Sequence, residues 1–172
     1  MKGFRCKLVT WNEIEKWVKM IVKKMKEDDF RPEIVIGLAR GGLIPARLIS
    51  DYLQVKDLYA VKTEHWGITA SPDGTARITQ KLPISVEGKR VLVVDDITDT
   101  GQSLSLAVDH INSYKPKELR SATLLHITHS KYVPHYFAQA VPEEKWTWFI
   151  FPWNVKFLAS SSAISHAPQL GS

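Results

Sequence analysis

Cysteine is almost absent from this 172-residue chain, and long apolar runs are missing from it. The single cysteine, Cys6, excludes an internal disulfide and a cysteine metal cluster, which agrees with a reducing cytoplasm. No apolar stretch approaches the ~20 residues that cross a bilayer, and the amino terminus lacks the apolar core of a secretory signal. The sequence therefore predicts a cytoplasmic protein without a membrane partner.

Several other signals are missing as well. The net charge of +5 comes without a basic arm or a separate helix-turn-helix region, so nucleic acid is not an expected partner. No Gly-x-Gly-x-x-Gly loop follows the first strand, which argues against a dinucleotide-binding module. Length and composition fit one globular domain, and we assign it to residues 1–158. Residues 159–172 are serine-rich without periodicity and are predicted to be a flexible tail.

Apolar periodicity predicts strands and helices in alternation. A capping box of Thr10 and Glu13 begins a first helix, whose apolar face repeats at helical spacing. Continuous apolar runs predict buried strands at 33–39, 58–63, 91–94 and 120–127. Further helices are predicted at 43–53 and 102–113. The predicted fold class is therefore α/β, with a Rossmann-like parallel sheet flanked by helices.

The most informative stretch is 91–103, where four branched apolar residues precede two acids and a short loop. Ligands in open α/β sheets lie at the carboxyl ends of strands, where Asp95 and Asp96 are expected. The start of the next helix favours a phosphate, which the loop residues Thr98, Asp99, Thr100, Gly101, Gln102 and Ser103 would bind. Acids repel phosphate and suit a vicinal diol, or a magnesium ion held directly or through water. Acids that merely cap a helix would explain one carboxylate but not two.

These thirteen residues resemble the signature of the type I phosphoribosyltransferases. The resemblance implies that Asp95 and Asp96 hold the ribose of phosphoribosyl pyrophosphate (PRPP) and that loop 98–103 holds its 5-phosphate. It also implies the type I phosphoribosyltransferase fold, with Mg²⁺ as cofactor. In the purine branch, the residue at the position of Asp99 faces N7 of the base and acts as a general base. The alternative role for Asp99 is a carboxylate that braces the loop.

A second strand, glycine loop and helix surround Ala39, Arg40, Gly41 and Gly42. Two glycines free the backbone to face an anion, and the arginine supplies a fixed fork of donors for phosphate oxygens. This loop is similar to the pyrophosphate loop of the same family, in which a non-proline cis peptide often adjoins the basic residue. A plain tight turn with a surface arginine is the alternative.

The carboxy-terminal part, about 132–158, is rich in aromatic residues, which are most often core or a dimer interface. The spacing of tryptophans in 148–153 resembles the base-binding hood of the xanthine-guanine and hypoxanthine-guanine branch. The resemblance implies that Trp148 stacks on a purine and that the carbonyls of Trp148 and Phe149 accept from its amino group. Ile97 is assigned to the same base site.

One departure from that branch leaves the identity of the acceptor base undetermined. The 6-oxopurine enzymes place a lysine just after the strand that precedes the hood, where it donates to O6. This chain has Ile127, Thr128 and His129 there, with Lys131 slightly later. Guanine, hypoxanthine, xanthine and adenine all stay possible acceptors.

A long loop is expected at 65–74, where glycine, proline and serine accumulate. The resemblance implies a lid that closes over PRPP, and the residues also fit a hairpin connection between 59–62 and 76–82. Glu64, His65 and Trp66 receive no role.

Together, these expectations predict an enzyme of purine salvage. It would transfer the 5-phosphoribosyl group of PRPP to a purine base with Mg²⁺, forming a nucleoside monophosphate and pyrophosphate, as a homodimer. A PRPP- or nucleotide-sensing regulator on the same fold, and a transferase for a non-purine acceptor, are the alternatives.

Overall fold

The computed structural model describes residues 6–65, 76–79, 82–145 and 147–154. The strands are β1 (Cys6–Leu8), β2 (Ile34–Ala39), β3 (Asp57–His65), β4 (Ala76–Ile78), β5 (Arg90–Thr98), β6 (Glu118–Ile127), β7 (Tyr136–Val141) and β8 (Trp148–Ile150). The α-helices are α1 (Trp11–Glu27), α2 (Leu43–Leu53) and α3 (Gln102–Asn112), and one 3-10 turn spans Glu143–Lys145. Most of the predicted lid, at 66–74, and the predicted tail at 159–172 lie outside the described residues. Within these ranges, no helix has the length and apolar character that a bilayer-spanning segment needs.

Six strands form the main sheet, in the order β4-β3-β2-β5-β6-β7. The neighbours from β3 to β7 pair in parallel, whereas β4 is antiparallel to β3. The predicted parallel sheet is therefore confirmed, and the hairpin pairing of the segments that flank the long loop is present at its edge.

Helices cover both faces of the sheet, which explains why its central strands are continuously apolar. On β5, Leu92 and Val94 pack in one core cluster with α1 and α2, while Val91 and Val93 pack in a second cluster with α3. All four side chains are fully buried.

Helix α1 begins as its sequence predicts. The Thr10 hydroxyl accepts from the Glu13 backbone N–H at 3.2 Å, and the Glu13 carboxylate accepts from the Thr10 N–H at 2.9 Å. The apolar face of α1 is buried; its members are Ile14, Trp17, Val18, Ile21, Val22 and Met25.

Strand β5 is longer than the apolar run predicts. It continues through the two acids to Thr98, because pairing with β6 persists to the level of Thr98 and His126. Asp95 and Asp96 therefore belong to the last half of the strand and do not follow it.

Three strands have no counterpart in the predictions. Strands β1 and β8 have three residues each, which is too few for a periodic signal. Strand β7 pairs in parallel with β6 although no helix connects them, so the chain returns through 128–135 alone.

Candidate functional site

Two glycine-containing loops meet at the carboxyl edge of the sheet, because β2 and β5 are parallel neighbours. Gly41 lies directly against the second acid, so that a Cβ there would stand 2.1 Å from Asp96 Oδ2. A Cβ on Gly42 would stand 2.4 Å from the Val94 carbonyl oxygen and 2.8 Å from Asp95 Cα. Only glycine allows the first loop to approach the acid-bearing strand this closely.

The first loop carries the cis peptide that the resemblance implied, between Ala39 and Arg40. The Arg40 side chain is exposed, and it can therefore reach a ligand above the sheet. The Gly42 N–H donates to the Leu38 carbonyl at 2.9 Å, so this amide is already used within the protein.

The two acids lie side by side and have different partners. Asp95 Oδ1 accepts from the Asp96 backbone N–H at 2.9 Å. Asp96 Oδ2 accepts from the Trp153 indole N–H at 3.3 Å. Burial raises the pKa of both carboxyls; the charge of Asp96 raises that of Asp95 further, whereas the Trp153 hydrogen bond opposes the rise at Asp96.

This pair suits a cation that is shared with a substrate. Among the described residues, no group of three His, Cys, Asp or Glu side chains comes together as a metal cage. Mg²⁺ needs no such cage, since it commonly binds one or two carboxylates together with substrate phosphates and water. Two half-buried, adjacent carboxylates whose pKa values are raised would also gain from a positive neighbour. Asp95 and Asp96 therefore fit Mg²⁺.

The second loop encloses a cavity of about 220 Å³ between β5 and α3. Its lining comprises Asp95, Ile97, Thr98, Asp99, Thr100, Gly101, Ser103 and Leu104. Gly101 precedes α3 with a φ of 83° and has no side chain to cap the helix, while the Thr100 hydroxyl accepts from the Gln102 backbone N–H at 3.4 Å. The start of α3 faces the cavity, where the partial positive charge of the helix favours an anion.

Two of the predicted phosphate-loop residues stand apart from the rest. The Thr98 side chain is buried, and its hydroxyl donates to the Thr123 hydroxyl at 3.1 Å, inside the sheet. Gln102 is exposed and is not part of the cavity lining. Thr100 and Ser103 also line the cavity.

The turn after β6 reaches the same loop. His129 Nε2 lies 3.0 Å from Asp99 Oδ1. Sequence reasoning named His129 as a neighbour of the absent lysine but missed this contact, which joins residues 30 positions apart. Thr128 and Lys131 are exposed, and the Lys131 backbone N–H donates to the Thr100 carbonyl at 3.3 Å.

The aromatic segment 147–154 is attached at both ends. Strand β8 pairs with β1, in a register that sets Trp148 beside Cys6 and Phe149 beside Lys7. Trp148 is 47% exposed, so its ring is accessible to a flat ligand. At the other end, Trp153 stacks on Phe151 with centroids 4.8 Å apart and donates to the acid site.

The match to a known family covers both loops and the aromatic segment. A family model described as phosphoribosyl transferase domain matches residues 7–160. The chain belongs to the phosphoribosyltransferase family. It is therefore an enzyme of the class that transfers a phosphoribosyl group, and its sheet and flanking helices are the type I phosphoribosyltransferase fold.

Individual relatives resemble this phosphoribosyltransferase over most of its length. A hypoxanthine-guanine phosphoribosyltransferase of Aquifex aeolicus is 30% identical over 132 residues, covering 73% of this chain and 72% of the relative. A xanthine-guanine phosphoribosyltransferase of Cereibacter sphaeroides is 25% identical over 159 residues, covering 90% and 88%. The crystal structure of a purine phosphoribosyltransferase from Pyrococcus horikoshii has a TM-score of 0.76 at 27% identity, covering 87% of this chain and 94% of that one.

The phosphoribosyltransferase thus offers three kinds of surface at one sheet edge. There is a helix start at Gly101 that favours an anion, a pair of half-buried acids, and a loop with an exposed guanidinium at Arg40. A ligand with a phosphate, two hydroxyls and a second anionic group would meet a complementary partner for each.

Proposed function

We propose that this phosphoribosyltransferase transfers the 5-phosphoribosyl group of PRPP to a purine base and releases pyrophosphate, as in purine salvage. The observation that carries the proposal is the contact of the glycine loop at 41–42 with Asp95 and Asp96, beside the cavity at the start of α3. Relatives named for hypoxanthine, guanine and xanthine support a purine as the acceptor.

In this proposal each end of PRPP has its own site. Asp95 and Asp96 accept from the ribose hydroxyls, because carboxylates are strong acceptors. The loop 98–103 binds the 5-phosphate at the α3 start. The loop 39–42 binds the pyrophosphate, with Arg40 as its cationic donor. Holding both ends fixes the anomeric carbon between leaving group and base, which lowers the entropy cost of the reaction.

Mg²⁺ would be held by Asp95 and Asp96, directly or through water, and when bound it neutralises charge on the leaving pyrophosphate. The chain contributes to the same end through the Arg40 guanidinium. Charge develops on both sides of the breaking bond, so donors and acceptors that are already fixed in place stabilise it without reorganisation.

The base is assigned to the space between the aromatic segment and Asp99. Trp148 stacks on the purine, the carbonyls of Trp148 and Phe149 accept from its edge, and Ile97 contributes apolar surface. Asp99 accepts the proton that the attacking ring loses, as a general base. An Asp99→Asn variant with full turnover on every accepted purine would remove this last role.

The direct test measures pyrophosphate release from PRPP and Mg²⁺ with guanine, hypoxanthine, xanthine and adenine in separate reactions. We expect turnover with at least one base, and loss of it in Arg40→Ala. Measurable PRPP binding without release on any base would instead favour the sensing regulator, or a non-purine acceptor. The homodimer and the cytoplasmic location remain predictions; sedimentation of the purified chain tests the first.

A further inference from the structure

His129 is placed at Asp99 by a turn that is held from several sides. The Thr128 N–H donates to the Val141 carbonyl at 3.0 Å, and the Ser130 N–H donates to the Ile127 carbonyl at 3.0 Å. These bonds close the turn at the end of β6, so the His129 backbone has little freedom.

The far side of the turn is packed on the phosphate loop itself. A Cβ on Gly101 would stand 2.6 Å from Ser130 Oγ and 2.8 Å from the Tyr132 backbone nitrogen. The Lys131 N–H donates to the Thr100 carbonyl. The Tyr132 hydroxyl lies 2.9 Å from Ser121 Oγ, which anchors the returning chain to β6. The turn and the phosphate loop therefore form one packed unit.

Within that unit, the imidazole bonds one oxygen of Asp99. A carboxylate oxygen accepts, so Nε2 of His129 donates at 3.0 Å to Oδ1. In the described part of the chain, no other side chain bonds the Asp99 carboxylate. Asp99 is half-exposed, and a carboxylate with one fixed oxygen keeps its other oxygen at a defined place.

We infer that His129 is a positioning residue for phosphoribosyl transfer, because it holds the Asp99 carboxylate in the orientation in which its free oxygen accepts the proton of the base. The inference rests on the proposed function and deepens it. His129 acts through Asp99 and needs no contact with PRPP.

A purely structural role for the same contact predicts something different. If the pair only ties the turn to the phosphate loop, its loss would loosen the 5-phosphate site and raise the KM for PRPP. If the pair orients Asp99, its loss lowers kcat and leaves the KM for PRPP unchanged.

The experiment compares His129→Ala, His129→Gln and His129→Asn by steady-state kinetics with PRPP and the accepted base. We expect kcat to fall about tenfold in His129→Ala, a part of the factor that general base catalysis supplies, with the KM for PRPP within about twofold. Glutamine places an amide nitrogen where Nε2 lies and should restore kcat to within about threefold. The shorter asparagine should not.

Asp99→Asn supplies the second half of a double-mutant cycle. In that background, His129→Ala should change kcat by less than about twofold, since the carboxylate that it orients is gone. His135→Ala is the matched control. This exposed histidine of the same segment bonds Ser121 and not Asp99, so kcat should stay at the wild-type value.

Several results would overturn the inference. They are an unchanged kcat in His129→Ala, an effect confined to the KM for PRPP, an equal effect in the Asp99→Asn background, and an equal loss in His135→Ala. If the wild-type chain binds PRPP but turns over no base, the proposed function fails and this inference fails with it. If the wild-type chain turns over normally and His129→Ala has the same kcat, only the inference about His129 is overturned.

Discussion

Replacing Trp153 with phenylalanine would isolate the link between the aromatic segment and the acid pair. The change removes the indole N–H that donates to Asp96 Oδ2 at 3.3 Å. It keeps an aromatic ring against Phe151. In the wild-type chain, the Trp153 and Phe151 rings stack with centroids 4.8 Å apart and an interplanar angle of 5°. Loss of the donor alone is therefore the main perturbation.

The magnitude follows from the burial of Asp96. Hydrogen bonds to charged groups contribute about 1.5–3 kcal/mol, and at 3.3 Å we take the lower end of that range. The Trp153 bond lowers the pKa of Asp96 against the effect of burial, so its removal makes the ionised acid less favourable. Because ~1.4 kcal/mol is a factor of ten in affinity, we expect PRPP binding to weaken about tenfold.

Isothermal titration calorimetry at fixed Mg²⁺ measures the affinity of each variant for PRPP, and the thermal denaturation midpoint checks that the variant folds. Trp11→Phe is the matched control, because it makes the same indole-to-phenyl change in the same aromatic group, where the Trp11 and Trp153 ring centroids lie 6.0 Å apart. Equal affinities in wild type and Trp153→Phe, or equal losses in Trp153→Phe and Trp11→Phe, would refute the reasoning.

Three further changes test other parts of the site and fold. Burial raises the pKa of Asp95, so the folded state favours the neutral carboxyl and loses stability as pH rises. Asp95→Asn should therefore raise the unfolding free energy at pH 8 and change it little at pH 4, which urea denaturation measures. The same variant should lose turnover in the kinetic assay. Gly41→Ala should cut turnover at least ~100-fold, because its Cβ would displace Asp96, and normal turnover would contradict the contact. Thr10→Ala should lower the unfolding free energy by about 1 kcal/mol with turnover intact, as calorimetry would measure.

The sheet and both loops were predictable because their signals are local. The apolar run of β5 is followed at once by its acids, and β2 by its glycines, so strand, loop and helix are read from neighbouring residues. The capping box of α1 is equally local, with Thr10 and Glu13 three positions apart.

The contacts that tie the site together were not predictable from the sequence. Trp153 meets Asp96 across 57 positions, and both β1 and β8 exist only through their pairing with each other. His129 reaches Asp99 because β7 returns beside β6 without a helix, an arrangement for which a parallel sheet gives no expectation.

That helix-free return also sets a limit on chain length. Tyr136 pairs with Ala122, so the chain must run back the ~17 Å between the levels of Ile127 and Ala122. After the turn at 128–130, six residue steps span at most ~20 Å. The segment therefore has little spare length. A deletion here would unpair β7, while a single inserted residue would let the turn drift away from Asp99, so loop length itself is a determinant of this site.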